Sequence, residues 1–228
     1  QEKLYHEIKK LNKPIILVLV NGRPLIINKE MKEADAVLEC FYPGEEGGKA
    51  LADIIFGTVN PSGKLPISIP RTVGQLPIYY NSKIVANRSP YLEDSCMALY
   101  PFGYGLSYTR FSYKDMKVEV KNNGTDSCYA VVNVTINNVG QKSGKDVTQI
   151  YIKKDVNDFT QSSLTLCSFK KTFLEKGEEK QISLLIPSSF FHTFDYNGEN
   201  QYLNKGSYQI MLGKDSQNII LSTEVTIR

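Results

Sequence analysis

The sequence predicts an α/β portion followed by an all-β sandwich, and three observations carry that prediction. Through residue 70, short unbroken apolar runs alternate with helix-spaced stretches, the rhythm of covered parallel strands joined by helices. From residue 110 onward, about seven segments alternate apolar and polar side chains between turn signals, which is the pattern of an immunoglobulin-like sandwich. Between these textures, residues 42–70 carry the densest punctuation by glycine, proline and asparagine in the chain.

In order, residues 2–11 place Leu4, Ile8 and Leu11 at helical spacing among charges, predicting a helix with one packing stripe. Lys13-Pro14 stops it, and residues 15–20 follow as a strand buried on both faces. Asn21-Gly22-Arg23-Pro24 turns the chain out, residues 25–34 are mixed, and residues 36–42 form a second buried strand. Gly47-Gly48 then open a helix that turns Ala50, Leu51, Ile54 and Ile55 inward, with Glu45 and Glu46 at its positive end. Asn60-Pro61-Ser62-Gly63 is a turn before a short alternating strand at 64–69.

Only two or three strands precede the change in texture, so an incomplete, flavodoxin-like sheet is expected, with its beginning upstream of Gln1 or in another chain. Residues 71–108 read as a long ordered crossover broken by Pro77, Pro90 and Pro101, its aromatic end at 100–108 serving as an anchor. The sandwich strands are expected at 113–120, 128–137, 146–152, 167–174, 180–186, 207–212 and 219–227. The implied domains are 1–109 and 110–228.

Composition narrows the function classes. Lys and Arg exceed Asp and Glu by 27 to 24 without any basic tract, which argues against a nucleic-acid partner. The longest apolar run, at 14–20, is far below the roughly 18 residues of a membrane helix, so a soluble chain with no membrane partner is expected. Gln1-Glu2-Lys3-Leu4 has neither an initiator methionine nor a signal-peptide layout and reads like the middle of a longer protein. Cys40, Cys96, Cys128 and Cys167 lack metal-ligand spacing, so no metal or other cofactor is expected. Four cysteines in such a chain do not require disulfides, and the cytoplasm is favoured over secretion. Asn87-Arg-Ser, Asn123-Gly-Thr and Asn133-Val-Thr match the short glycosylation pattern.

Five motifs occur together: Asn21-Gly-Arg-Pro24, Tyr42-Pro-Gly-Glu-Glu-Gly-Gly48, Asn60-Pro-Ser-Gly-Lys-Leu-Pro66, Gln75-Leu-Pro77 and Tyr100-Pro-Phe-Gly-Tyr-Gly-Leu-Ser-Tyr-Thr109. In this order they resemble the C-terminal region of glycoside hydrolase family 3, the β-glucosidase and β-xylosidase family. Asp146-Val-Thr-Gln-Ile-Tyr151, Phe169-Lys-Lys171, Leu174-Glu-Lys-Gly-Glu178 and Leu212-Gly213 resemble its fibronectin type III-like domain. The resemblance implies an exo-acting retaining β-glycosidase using two carboxylates, with an oligosaccharide, polysaccharide or aryl glycoside as substrate. It also implies an upstream catalytic barrel as partner, in the same protein or as a separate chain. In the family the nucleophile is an aspartate on that barrel, and the acid/base glutamate precedes the counterpart of Gln1, so no catalytic residue is carried over onto this chain.

Glu45 and Glu46 are adjacent on one element and cannot face each other across a sugar ring. Their expected role is capping the helix and packing against the loop, and the functional alternative places them, with Arg23 as a brace for their carboxylates, on a wall of the active site. His192 is expected to be a surface or hydrogen-bonded residue, while Tyr151, Phe169, Phe173 and Tyr208 are expected in core or inter-domain contacts. The rival reading is a non-catalytic carbohydrate- or protein-binding module.

Overall fold

The computed structural model describes residues 1–82, 97–154, 162–195 and 197–228. Cys96, Pro90 and the Asn87 glycosylation pattern lie outside them. The first part is α/β: helix α1 (Glu2–Lys9), strand β1 (Ile16–Leu19), helix α2 (Asn28–Glu33), strand β2 (Ala36–Glu39) and helix α3 (Gly47–Ile55). Strands β1 and β2 are parallel, in register from Ile16 opposite Ala36 to Leu19 opposite Glu39. The short helix α2 falls in the stretch that looked mixed, because Met31 is its one buried apolar side chain and a single such residue leaves no periodicity to read.

Burial in this part differs from expectation. Leu19 is the buried residue of β1, while Ile16 is 45% exposed and Val20 is exposed as well. Leu4, Ile8 and Leu11 face solvent, and α1 instead docks on α2 through buried Tyr5, whose hydroxyl donates to the Glu30 carbonyl at 3.3 Å. Of the inward stripe expected for α3, Leu51 and Ile54 are half-buried, whereas Ala50 and Ile55 are exposed. A two-stranded sheet with helices at its margins presents too few layers to cover these faces.

The second part is a β-sandwich. One sheet has the order β11-β10-β5-β6 and the other β3-β4-β7. The strands are β3 (Phe111–Lys121), β4 (Tyr129–Asn138), β5 (Gly144–Lys154), β6 (Thr165–Leu174), β7 (Glu179–Ile186), β10 (Gly206–Asp215) and β11 (Asn218–Ile227). A small hairpin of β8 (His192–Phe194) and β9 (Gln201–Leu203) stands beside them. Strand β4 alternates strictly, turning Ala130, Val132, Val134 and Ile136 into a core shared with Ile150, Leu174, Ile210 and Leu212. Each such side chain contributes roughly 1.5–3 kcal/mol on burial.

The crossover motifs join the two parts. Residues 64–69 are not a strand of the parallel sheet; they run against 100–105, with an antiparallel bridge between Ile69 and Tyr100. Leu65 N donates to the Tyr104 carbonyl and Gly103 N to the Leu65 carbonyl, both at 2.8 Å. Gly103 adopts φ +84°, and a Cβ there would fall 2.1 Å from Gln149 Oε1. Gln149 Nε2 donates to the carbonyls of Gly103 at 3.0 Å and Lys214 at 2.9 Å, while Tyr151 donates its hydroxyl to Gln149 Oε1 at 2.7 Å. Tyr80 stacks on Phe102 with centroids 4.0 Å apart and meets Tyr151 edge-on.

Asn60 is a second node of the seam. Its Oδ1 accepts from Ser107 Oγ and from Tyr108 N, and its Nδ2 donates to the Ser143 carbonyl at 3.0 Å. Lys64 donates to the Gly105 carbonyl and pairs with Asp146 at 3.4 Å, and Tyr113 donates to the same carboxylate at 2.8 Å. Burial, followed by the Asp146 charge, pushes the Tyr113 hydroxyl well above the usual range, so it stays protonated as a donor.

Candidate wall of an active site

The loops that leave β1 and β2 emerge side by side at the carboxyl ends of parallel strands, where open α/β sheets present ligand-binding groups. Asn21 N donates to the Phe41 carbonyl at 3.2 Å, and Asn21 Nδ2 reaches Glu39 Oε2 at 3.4 Å, so the two loops are tied at their roots. Phe41 takes φ +49°, a left-handed conformation costly for a bulky residue. Beyond it, Gly44 takes φ +73° and accepts from Gly47 N, so the second loop folds back before α3 begins.

Two contacts fix this tip. A Cβ on Gly22 would lie 2.5 Å from the Tyr42 hydroxyl oxygen and 2.9 Å from Cε2 and Cζ, so the outer end of the Tyr42 ring rests on glycine. A Cβ on Gly47 would meet the Pro43 ring at 2.7 Å. Tyr42 is nonetheless 80% exposed.

Arg23, Glu45 and Glu46, expected on this wall, are all exposed on these loops. Among the described residues no ion pair joins Arg23 to either glutamate, so the expected brace is not made here. Glu46 begins α3 through its backbone carbonyl, which accepts from Ala50 N at 3.0 Å, and it makes no side-chain cap. Arg23 lines a groove of about 690 Å³ together with Ile67, Val73, Leu76, Tyr79 and Phe102. Nearby in sequence, Arg71 holds the chain by donating from Nε to the Met97 carbonyl at 3.0 Å and from a terminal nitrogen to the Ala98 carbonyl.

The other polar candidates are accounted for locally. His192 Nδ1 lies 2.7 Å from the Ser188 carbonyl. His6 Nε2 lies 3.6 Å from a carboxylate oxygen of Glu30 on α2 and 3.8 Å from one of Glu2 within α1. Cys40, Cys128 and Cys167 are free thiols, and burial raises Cys167 to about 12, which keeps it protonated and unreactive. Tyr151 and Tyr208 are buried as expected, whereas Phe169 and Phe173 on β6 are exposed. Asn123 is fully engaged, donating to the Thr226 carbonyl and accepting from Arg228 N, each at 2.9 Å. Asn133 Oδ1 accepts from Ser183 Oγ.

Comparison with known proteins matches residues 1–108 to the glycosyl hydrolase family 3 C-terminal domain and residues 146–216 to a fibronectin type III-like domain. A periplasmic β-glucosidase of Salmonella typhimurium is 37% identical across 96% of this chain and 30% of its own length. A putative β-xylosidase of Formosa agariphila is 39% identical across 95% of this chain and 28% of its own. The solved structure of a β-glucosidase from Erythrobacter marinus superposes with a TM-score of 0.91 at 37% identity, covering 99% of this chain and 30% of that one. A Listeria innocua β-glucosidase in complex with glucose gives 0.87 at 33% identity, with 98% and 32% covered. The chain thus spans about a third of the length of the proteins it matches.

Proposed function

The chain belongs to glycoside hydrolase family 3, and from that premise we propose that it is the C-terminal scaffold portion of a retaining, exo-acting β-glycosidase. One observation carries the proposal: the matched relatives named as β-glucosidase and β-xylosidase extend over about three times this chain's length, and the chain accounts for their C-terminal domains. In this reading the catalytic carboxylates lie on the remaining part, which is the partner of the wall formed by Arg23, Glu45 and Glu46. Retaining chemistry needs two carboxyl groups about 5–5.5 Å apart on opposite sides of one glycosidic bond, a geometry that neighbours on one loop do not supply. The domain boundary of this reading falls between Thr109 and Arg110, just before β3.

The α/β part completes its sheet with strands from elsewhere, and its exposed apolar faces support that role. The sandwich braces it from outside through the Gly103–Gln149 and Asn60 contacts. Among the described residues no helix is long and apolar enough to cross a membrane. Free thiols at three described cysteines support a cytoplasmic location in this reading; the periplasmic name belongs to the Salmonella relative. Cell fractionation decides between the two.

The test is hydrolysis of aryl β-glucosides and β-xylosides by the pure chain, alone and combined with a family 3 catalytic barrel. The reading expects no turnover alone and turnover in the combination; turnover by the chain alone overturns it. Exposed Phe169 and Phe173 keep a second reading alive, a binding module, which retention of residues 110–228 on polysaccharide would favour.

A further inference from the structure

We infer that Tyr42 is a pinned sugar-stacking platform at the carboxyl ends of β1 and β2, with Arg23, the residue after Gly22, as hydrogen-bond donor to the same sugar. The inference rests on the β-glycosidase reading and names a substrate contact within it. An ordinary exposed tyrosine is free to change rotamer, and ordering it on a ligand costs entropy. The Tyr42 ring is already ordered, because its outer end occupies the volume that a side chain at residue 22 would fill.

Three further observations point the same way. The left-handed backbone of Phe41 stores strain immediately before the ring, in a loop with no core of its own to stabilise. Pro43, the next residue, is seated against Gly47. Arg23 follows the glycine that carries the ring, and it has no ion-pair partner among the described residues.

The chemistry of this pair suits a pyranose. The C–H face of a β-linked sugar is apolar and electropositive, and it lies flat on the negative face of an aromatic ring. The ring hydroxyls at the sugar's edge then accept from a guanidinium, whose fixed fork presents five donors. Neither residue has a role in bond cleavage; together they orient a sugar unit.

The test is a nuclear magnetic resonance titration of the 228-residue chain with cellobiose and, separately, with sorbitol, which has hydroxyls but no ring face. The amides of Gly22, Arg23, Tyr42 and Gly44 are expected to shift together with cellobiose and to stay still with sorbitol. Tyr42→Phe keeps the affinity within about twofold, and Tyr42→Ala weakens it about tenfold, the scale of one aromatic contact. Gly22→Ala is the sharper variant. Gly22 does not need a positive φ, so alanine fits its backbone and displaces only the Tyr42 ring. It is expected to weaken binding as Tyr42→Ala does while leaving the sandwich amides unmoved. No shift at these amides, equal shifts with sorbitol, or unchanged affinity in both Tyr42→Ala and Gly22→Ala overturns the platform. Those outcomes leave the hydrolase reading standing, because that reading is scored by turnover in the presence of the barrel.

Discussion

Ile150 on β5 is fully buried, whereas Ile16 on β1 is 45% exposed, although each sits within a run of apolar residues in a strand. The sandwich closes around its own core: two sheets face each other, and β3 and β11 meet at one side as β6 and β7 do at the other. Among its described residues the α/β part offers two strands and three α-helices, which leave Leu4, Ile8, Ile16, Val20 and Ile55 open to water. The contrast teaches that apolar sequence specifies a face to be covered, and that the number of layers present decides whether it is covered. One half of this chain closes around its own core, and the other leaves apolar faces open.

The largest effect that separates the halves comes from truncating matched isoleucines. Ile150→Ala is expected to cost about 2–5 kcal/mol by opening a cavity, while Ile16→Ala costs less than about 1 kcal/mol in the same urea unfolding experiment. Equal losses would break the comparison. Next comes the seam between the halves. Gly103→Ala places a methyl group against Gln149 at a left-handed backbone position, so Gln149 loses its carbonyl partner. A loss of about 1–3 kcal/mol is expected. Proteolysis should then cut the α/β part earlier while the sandwich stays intact.

Asn60→Ala sharpens the same point with a smaller effect, because two of its three bonds stay within the crossover segment and only the Ser143 bond reaches the sandwich. About 1 kcal/mol is expected for that substitution by thermal melting. The smallest effect is a pH dependence confined to the sandwich and its seam. Tyr113 and Tyr151 are raised above their ordinary 10.0 chiefly by burial, with Asp146 and Asp215 respectively adding to it. Both are neutral in either state below that pH; above it the unfolded chain ionises first, so folding stability falls as pH rises past 10. Tyr113→Phe should flatten this decline, as followed by circular dichroism between neutral and alkaline pH.

Legibility in the sequence follows the same division. The strands of the sandwich were readable because alternation such as Val132-Asn133-Val134-Thr135-Ile136 reports one buried and one wet face, and both faces exist here. The same reasoning overestimated burial at residues 15–20, since an apolar run records the layers a strand is built for. It also mistook Lys64 to Ile69 for a sheet strand; that segment's partners lie in the aromatic motif near Tyr100 and Gly103, too far along the chain for local pattern to show. Arg23, Glu45 and Glu46 lie on the loops that leave β1 and β2, as their place after two strands predicts, but the expected ion pairing is not formed among the described residues. Tyr42 was passed over because the neighbouring acids drew the chemical argument. Its signal was an aromatic residue set immediately before Pro43-Gly44, opposite a glycine whose purpose only the fold reveals.

The most direct measurement of the contrast is native-state hydrogen exchange on the intact chain. The account predicts that amides of β4, β5 and β10 exchange only through global unfolding, whereas those of β1 and β2 exchange far faster and slow down when a catalytic barrel with the missing sheet strands is added. Equal protection of β1 and β4 in the chain alone would contradict it, because the α/β part would then be a complete fold with no face left to receive a partner.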